Sequence, residues 1–109
     1  MPRTTALVVL LVAAGLEAGG DALVRLGLQA STTTTRLAMF ALGGVVLFSY
    51  GYVVNRPAWD FGRLLGIYVV CFFVVAQAIS WLVFHQRPTG SIILGGALIV
   101  AGGVIIAVR

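Results

Sequence analysis

The sequence predicts an all-α membrane protein, a bundle of four transmembrane helices. Hydrophobic residues make up 61% of the chain and charged residues only 9%, whereas a water-soluble domain carries about 25% charged residues. Four apolar segments are separated by short polar breaks, and each is long enough to cross a hydrocarbon core of about 30 Å. Because backbone groups in lipid must be hydrogen-bonded within their own segment, these segments are helices.

The polar breaks define the bounds of the helices. The first break is the polar run 31–36, and the second is Asn55-Arg56-Pro57, where the proline disfavours helical geometry in the residue before it. The third break, 85–90, combines charge, proline and glycine. The predicted helices cover about residues 4–28, 37–54, 62–84 and 91–108. Residues 1–109 therefore form a single transmembrane domain with short loops.

The first helix contains an acid, Glu17, near its middle. A helix from about Thr5 to Leu26 would be roughly 33 Å long and would place Glu17 within about 2 Å of the bilayer midplane. The hydrophobic stretch is longer than that of a signal peptide and carries charges in its last third, so we expect it to be retained. A charge at this depth is costly and marks a functional site by default.

Desolvation disfavours the charged form of a carboxylate, so Glu17 should bind either a cation or a proton. Because these two occupants exclude each other, the site is suited to exchange protons for cations. The alternative is a permanently protonated Glu17 that only bonds to a neighbouring helix.

Small residues surround Glu17 on one stripe of the first helix. We expect three of them to line a pocket: Ala13, Ala14 and Gly20. Asp21 lies one turn after Glu17 and either shares in binding the cation or pairs with Arg25, four residues further on.

The third helix places Leu65 and Tyr68 on one side, where we expect them to face the pocket. Tyr68 could stack on a cationic ligand or bond to it. The alternative for this aromatic residue is simple core packing.

The fourth helix carries two glycine pairs spaced seven residues apart, which puts both pairs on one face. The four residues are Gly95, Gly96, Gly102 and Gly103. Such a seam suits close packing against another helix, either in a second subunit or within the same subunit.

The distribution of the arginines bears on how the chain is oriented in the membrane. With four spans, one side of the membrane carries Arg3, Arg56, Arg63 and Arg109, and the other carries Arg25, Arg36 and Arg87. The positive-inside rule fixes the orientation only when one side carries clearly more Lys and Arg, and here the difference is one residue. The chain could insert in both orientations, and two opposed copies would form an inverted-repeat transporter in the inner (plasma) membrane. We therefore expect an antiparallel, dual-topology homodimer.

Other classes of function find no support in the sequence. The single Cys71 excludes an internal disulfide and a cysteine-rich metal site. No nucleophile and base pair, phosphate-binding loop or metal cluster is evident, so we expect neither an enzyme nor a cofactor, and the coupling ion would be the proton. Arginines at helix ends anchor to lipid headgroups, so the net charge of +4 does not indicate nucleic acid as a partner.

The residues resemble the small multidrug resistance family of the drug/metabolite transporter superfamily over nearly the whole chain. The similar features are Glu17 followed by Gly20 and Arg25, the pair Ser80-Trp81, the run 84–87, and the glycine-rich run 93–102. Export-type members have Trp where Tyr68 stands and Tyr one turn earlier, where this chain has Leu65. Run 62–68 looks more like the YnfA-type branch. The resemblance implies that Glu17 is the shared proton and substrate site of an antiparallel dimer. It also implies that the first three helices line the pocket and the fourth holds the dimer together.

The leading hypothesis is a proton-coupled antiporter that exports small organic cations of the quaternary ammonium or guanidinium type by alternating access. One alternative is a lipid-carrier translocase subunit of the same superfamily. Another is a non-transporting membrane subunit that binds a larger partner through its glycine seams.

Overall fold

The computed structural model describes residues 2–108 and contains four α-helices and no strand within that range. The helices are α1 (Arg3–Gln29), α2 (Thr33–Val54), α3 (Phe61–Phe84) and α4 (Gly90–Val108). All four are long and apolar enough to cross a membrane. The predicted all-α, four-helix fold class is confirmed.

The largest difference from the predicted bounds is the start of α2. Thr33 begins the helix, whereas the prediction put the whole run 31–36 in a loop and began the helix at Leu37. The reason is a cap: the Thr32 side chain accepts a hydrogen bond from the Thr35 backbone N–H, 3.2 Å away. Threonine is a favoured N-cap because its hydroxyl satisfies a donor that the first turn leaves without a partner.

The break between α3 and α4 covers residues 85–89. His85 adopts the left-handed conformation at the end of α3, with φ 56° and ψ 36°, and the Gln86 N–H then donates to the Ser80 carbonyl at 3.0 Å. Thr89 caps the start of α4, where its Oγ1 accepts from the Ile92 N–H at 3.3 Å. These bonds satisfy backbone groups at two helix ends.

The helix α1 lies between α2 and α3, and α4 packs against the outer side of α3. The buried core joins α1 to α3 and to the end of α2. Its members are Leu10, Ala13, Ala14, Val54, Leu64, Ile67 and Tyr68. Consequently the middle of α1, where Glu17 lies, is enclosed on two sides by the other helices.

Two glycines allow α1 and α2 to cross closely. A Cβ atom placed at Gly20 would lie 2.7 Å from Leu47 Cγ, and one at Gly43 would lie 3.1 Å from the Gly20 carbonyl oxygen. These distances are too short for an added side chain, so the two helices can approach this closely only because both positions are glycine. Small residues commonly have this role in contacts between membrane helices.

Two arginines cap the C-terminal end of α4. Arg63 Nη1 donates to the Ile106 carbonyl at 2.6 Å, and Arg3 Nη2 donates to the Ala107 carbonyl at 3.2 Å. Cations at a helix C-terminus satisfy free carbonyls and complement the helix dipole. The contacts place the starts of α1 and α3 at the same end as the end of α4, as four spans require. We call this the arginine-capped end.

Much of the outer surface is apolar. Phe48 on α2 is 80% exposed, Leu82 on α3 is 77% exposed and Leu98 on α4 is 69% exposed. In α4 only Gly96 and Gly103 are buried. A soluble monomer rarely exposes large continuous apolar patches, so these faces suit lipid or another transmembrane helix.

Candidate functional site

Glu17 lies one residue from the centre of the 27-residue helix α1, which at about 1.5 Å per residue is roughly 40 Å long. Its Oε1 accepts a hydrogen bond from the Tyr68 hydroxyl on α3 at 2.8 Å. Glu17 is half-buried and Tyr68 is only 4% exposed. The structure thus brings together two of the residues that the sequence predicts for the site.

Close contact between α1 and α3 makes this bond available. Ala13 and Ala14, one turn before Glu17, have no exposed surface and lie in the core with Leu64 and Tyr68. Small side chains here let α3 approach α1, which places the Tyr68 hydroxyl within reach of the carboxylate. Leu65 is half-buried and packs against the same core.

The predicted pocket-lining residues therefore occupy helix contacts. Ala13 and Ala14 fill the contact between α1 and α3, and Gly20 lies in the contact between α1 and α2. None of these residues, nor Leu65, is among those that line the main cavity of the structure. Of the residues that the sequence predicts for binding, Asp21 does line it.

This main cavity has a volume of about 420 Å³ and begins one residue after Glu17, between α1 and α3. Its walls are largely apolar and include aromatic and small side chains. The lining residues are Ala18, Asp21, Ala22, Val24, Arg25, Leu28, Phe72, Ala76, Ile79, Ser80, Phe84 and Gln86. The volume falls within the range of about 300–1,000 Å³ that is usual for small-molecule sites.

A row of aromatic rings connects Glu17 to the cavity. The Tyr68 ring lies 5.7 Å from the Tyr50 ring and 6.2 Å from the Phe72 ring, measured between centroids. Phe72 also lines the cavity. The carboxylate and the cavity are therefore parts of one region of the structure.

Arg25 is held over an aromatic ring. Its Cζ lies 5.0 Å from the centroid of Phe84, and both residues line the cavity. The neighbouring Ser80 hydroxyl donates to Gln86 Oε1 at 3.2 Å. Arg87 lies over Trp81 in the same way, at 5.6 Å. We call this side of the molecule, with the end of α3 and the start of α4, the cavity end.

The glycines of α4 point in two directions. A Cβ atom at Gly96 would lie 2.5 Å from the Phe73 ring, and one at Gly103 would collide with Val70. Gly95 and Gly102 have open space at the same position. Half of the predicted seam thus packs against α3 within the chain, and the other half remains accessible.

Residues 2–108 contain no group of three or more His, Cys, Asp or Glu side chains that could hold a metal ion.

Sequence reasoning missed several residues of this region. Phe72 could have been found because it lies one turn after Tyr68 on the same face of a helix. Tyr50 belongs to α2, and its approach to Tyr68 depends on how three helices pack. Gln86 reaches the cavity from the turn after α3, and no local pattern indicates where such a turn points.

Comparison with known proteins gives one informative relative. The chain is 33% identical over 102 residues to a UPF0060 membrane protein from Herpetosiphon aurantiacus, with 91% of this chain and 90% of the relative covered. No family model matches the chain, and no solved structure is significantly similar to it. With the four helices able to cross a membrane, identity of this extent shows that the chain is a multi-pass membrane protein and belongs to the UPF0060 membrane protein family.

Proposed function

We propose that this protein is a proton-coupled antiporter that exports small organic cations by alternating access. The observation that carries the proposal is Glu17, half-buried at the middle of a membrane-spanning helix, bonded to Tyr68 and next to a largely apolar cavity. Intramembrane ionisable residues of this kind mark ion and substrate pathways. The candidate substrates are quaternary ammonium and guanidinium compounds.

The chemistry follows from competition for one carboxylate. When Glu17 is ionised, it attracts a cation into the cavity, and the apolar and aromatic walls bury the rest of that cation. When Glu17 is protonated, this attraction is lost and the cation leaves. The Tyr68 hydroxyl donates to Oε1 and fixes the orientation of the carboxylate. Each cation bound must therefore displace a proton.

The working unit is an antiparallel homodimer. One copy has α1 enclosed by α2 and α3 on two sides only, and four helices are few to enclose a transport pathway. The open glycines Gly95 and Gly102 and the exposed apolar face of α4 offer a surface for a second copy. Two copies in opposite orientations would bring two Glu17 carboxylates to the midplane and would provide equivalent inward and outward states.

This mechanism agrees with the resemblance to the small multidrug resistance family, to which we propose that UPF0060 proteins are related. Glu17 is the residue on which that relationship depends. Tyr68, which stands in place of the Trp of export-type members, bonds directly to it. We infer that the substrate range differs from that of export-type members because the side chain next to the carboxylate differs.

The test uses purified protein in liposomes and measures proton release when cations are added. The wild-type protein should release protons with quaternary ammonium or guanidinium compounds, and Glu17→Gln should release none. Gln keeps an oxygen that can accept from Tyr68, so the variant should fold. The matched control is Asp60→Asn, because Asp60 is an exposed acid in a loop and its side chain makes no cap bond.

Asp60→Asn should behave like the wild-type protein. Proton release that persists in Glu17→Gln, or that fails with every cation in the wild-type protein, would contradict the antiporter. The second result would favour a membrane subunit that binds a larger partner.

A further inference from the structure

The cavity next to Glu17 has two poles of opposite charge. Asp21 and Arg25 both line it, and they stand one helical turn apart on α1, about 6 Å along the axis. The acidic pole is the nearer one to Glu17. A ligand that fills the cavity therefore meets negative charge at one end and positive charge at the other.

The positive pole of the cavity, formed by Arg25 with Gln86 beside it, carries several hydrogen-bond donors. The Arg25 guanidinium lies over the face of Phe84, a contact that leaves the N–H groups at its edge directed away from the ring. Gln86 uses its Oε1 to accept from Ser80, and its amide N–H groups are additional donors at this pole. Guanidinium and amide donors together suit a carboxylate or a similar anion.

Most of the other residues that line the cavity are apolar. Ala22, Phe72, Ala76 and Ile79 are among them, and their side chains provide no partner for a polar group. The middle of the ligand should therefore be a short hydrocarbon chain. A simple cation would gain at Asp21 but would be repelled by Arg25, since like charges that approach each other are disfavoured.

We propose that the cavity binds zwitterionic organic ammonium compounds, with the ammonium group toward Asp21 and Glu17 and an anionic group toward Arg25 and Gln86. The proposal rests on the proposed exchange of protons at Glu17, and it narrows the substrate class of that same site. Arg25 is then the residue that determines specificity, because it distinguishes a zwitterion from a plain cation.

The test compares two probes that differ only in the anionic group. One is a hexyl-dimethylammonium with a carboxylate on a three-methylene spacer, and the other is hexyltrimethylammonium. Binding of each to the protein in neutral maltoside micelles is measured by titration calorimetry. The wild-type protein should bind the zwitterion about tenfold more tightly, as expected for one hydrogen-bonded charge pair.

Arg25→Gln should remove this preference by weakening zwitterion binding about tenfold without weakening binding of the cation. Arg25→Lys keeps the charge and should retain most of the preference. The matched control is Arg36→Gln, because Arg36 lies at the same end but donates to the Ala30 carbonyl and does not line the cavity. This control should keep the wild-type preference.

Three results would overturn the proposal. The wild-type protein could bind the two probes with equal affinity, or Arg25→Gln could weaken the affinity for both probes equally. The third result is the same ratio of affinities in Arg25→Lys as in Arg25→Gln. The ratio of affinities does not depend on proton release. Failure of the antiporter, seen with Glu17→Gln in liposomes, is therefore distinguishable from failure of the zwitterion site.

A zwitterion could come from solution or from a lipid headgroup. Repeating the titration in bilayer discs of phosphatidylethanolamine separates these sources. If the headgroup occupies the site, the apparent affinity of the wild-type protein for the soluble zwitterion should fall, and Arg25→Gln should show no such fall. An unchanged affinity with the same Arg25 dependence identifies a free solute as the ligand.

Discussion

The bond between Tyr68 and Glu17 is the most specific feature of the molecule at the scale of single residues. It joins α1 to α3 by a donor and an acceptor 2.8 Å apart. Tyr68→Phe removes the hydroxyl and leaves the ring in the core, so the substitution should affect the orientation of the carboxylate more than it affects the packing of the helices.

We expect Tyr68→Phe to lower the affinity for cations about tenfold, which corresponds to 1.4 kcal/mol. The ring remains to fill the core, so the helices should still pack. The measurement is the cation concentration that gives half-maximal proton release in liposomes. The control is Tyr52→Phe, because Tyr52 is 63% exposed and contacts Arg56 at the end of α2. Wild-type affinity in Tyr68→Phe would show that the hydroxyl does not hold the carboxylate for binding.

A lone acid in an apolar helix predicted Glu17 as a site residue, and the face of the third helix predicted Tyr68. The structure places these two side chains in contact. The same reasoning placed Ala13, Ala14 and Gly20 beside a ligand, whereas the structure places them in helix contacts. A small residue in a membrane helix is compatible with a close helix contact and with a cavity, and only the packing of the helices decides between the two.

At the scale of helices, glycines decide which surfaces come together. Neighbouring glycines in one helix have opposite environments, which provides matched controls within the chain. Gly43 lies against the backbone of α1, and the adjacent Gly44 faces open space.

We expect Gly43→Ala to lower the free energy of unfolding by about 1–3 kcal/mol, because an added methyl group forces two backbones apart. Gly44→Ala should leave that free energy unchanged or raise it slightly, since Ala favours helix more than Gly does. Unfolding of the reconstituted protein in denaturing detergent measures both variants. Equal effects of the two substitutions would show that α1 and α2 do not cross at Gly43.

The glycines of α4 allow a second prediction of this kind. Gly103→Val should lower the free energy of unfolding by about 1–3 kcal/mol, because the new side chain collides with Val70 on α3. Gly102→Val should leave unfolding of the subunit unaffected and should weaken the proposed homodimer, because the open glycine would lie at the subunit contact of that dimer.

The oligomeric state of the two α4 variants is measured by cross-linking or by light scattering in detergent. Equal dimer formation by Gly102→Val and the wild-type protein would contradict a subunit contact at Gly102 and would place this glycine against lipid. The other exposed apolar residues of α4 would then be tested as the dimer surface.

At the scale of the whole molecule, the arginines are spread almost evenly between the two ends. Arg3 and Arg63 lie at the arginine-capped end, and Arg25 and Arg87 lie at the cavity end. Orientation in the membrane follows the asymmetry of positive charge in short loops. A chain with so little asymmetry should insert in both directions.

We expect reporter tags at the termini of the wild-type protein to appear on both sides of the membrane in comparable amounts. Adding two arginines to the exposed stretch 31–34 should fix one orientation and abolish transport by the variant alone, since an antiparallel dimer needs both orientations. A single orientation of the unmodified protein would exclude the antiparallel dimer.

The sequence by itself determined the membrane environment, the four helices and the acid at the middle of the first helix. These follow from composition and from local pattern, because lipid requires each span to satisfy its own backbone. Most bounds followed from Pro, Gly and polar residues, and the start of α2 was wrong because a threonine run can either cap a helix or precede it.

Only the tertiary structure decided the neighbours of that acid. It brought the Tyr68 hydroxyl into hydrogen-bond contact with Glu17, put the Tyr50 and Phe72 rings beside Tyr68, and formed the cavity between α1 and α3 that Asp21 and Arg25 line. These contacts join residues from different helices, and their distances depend on where small side chains allow two backbones to approach. Periodicity along one helix gives the face on which a residue lies, but the partner of that face is set by the packing of all the helices together.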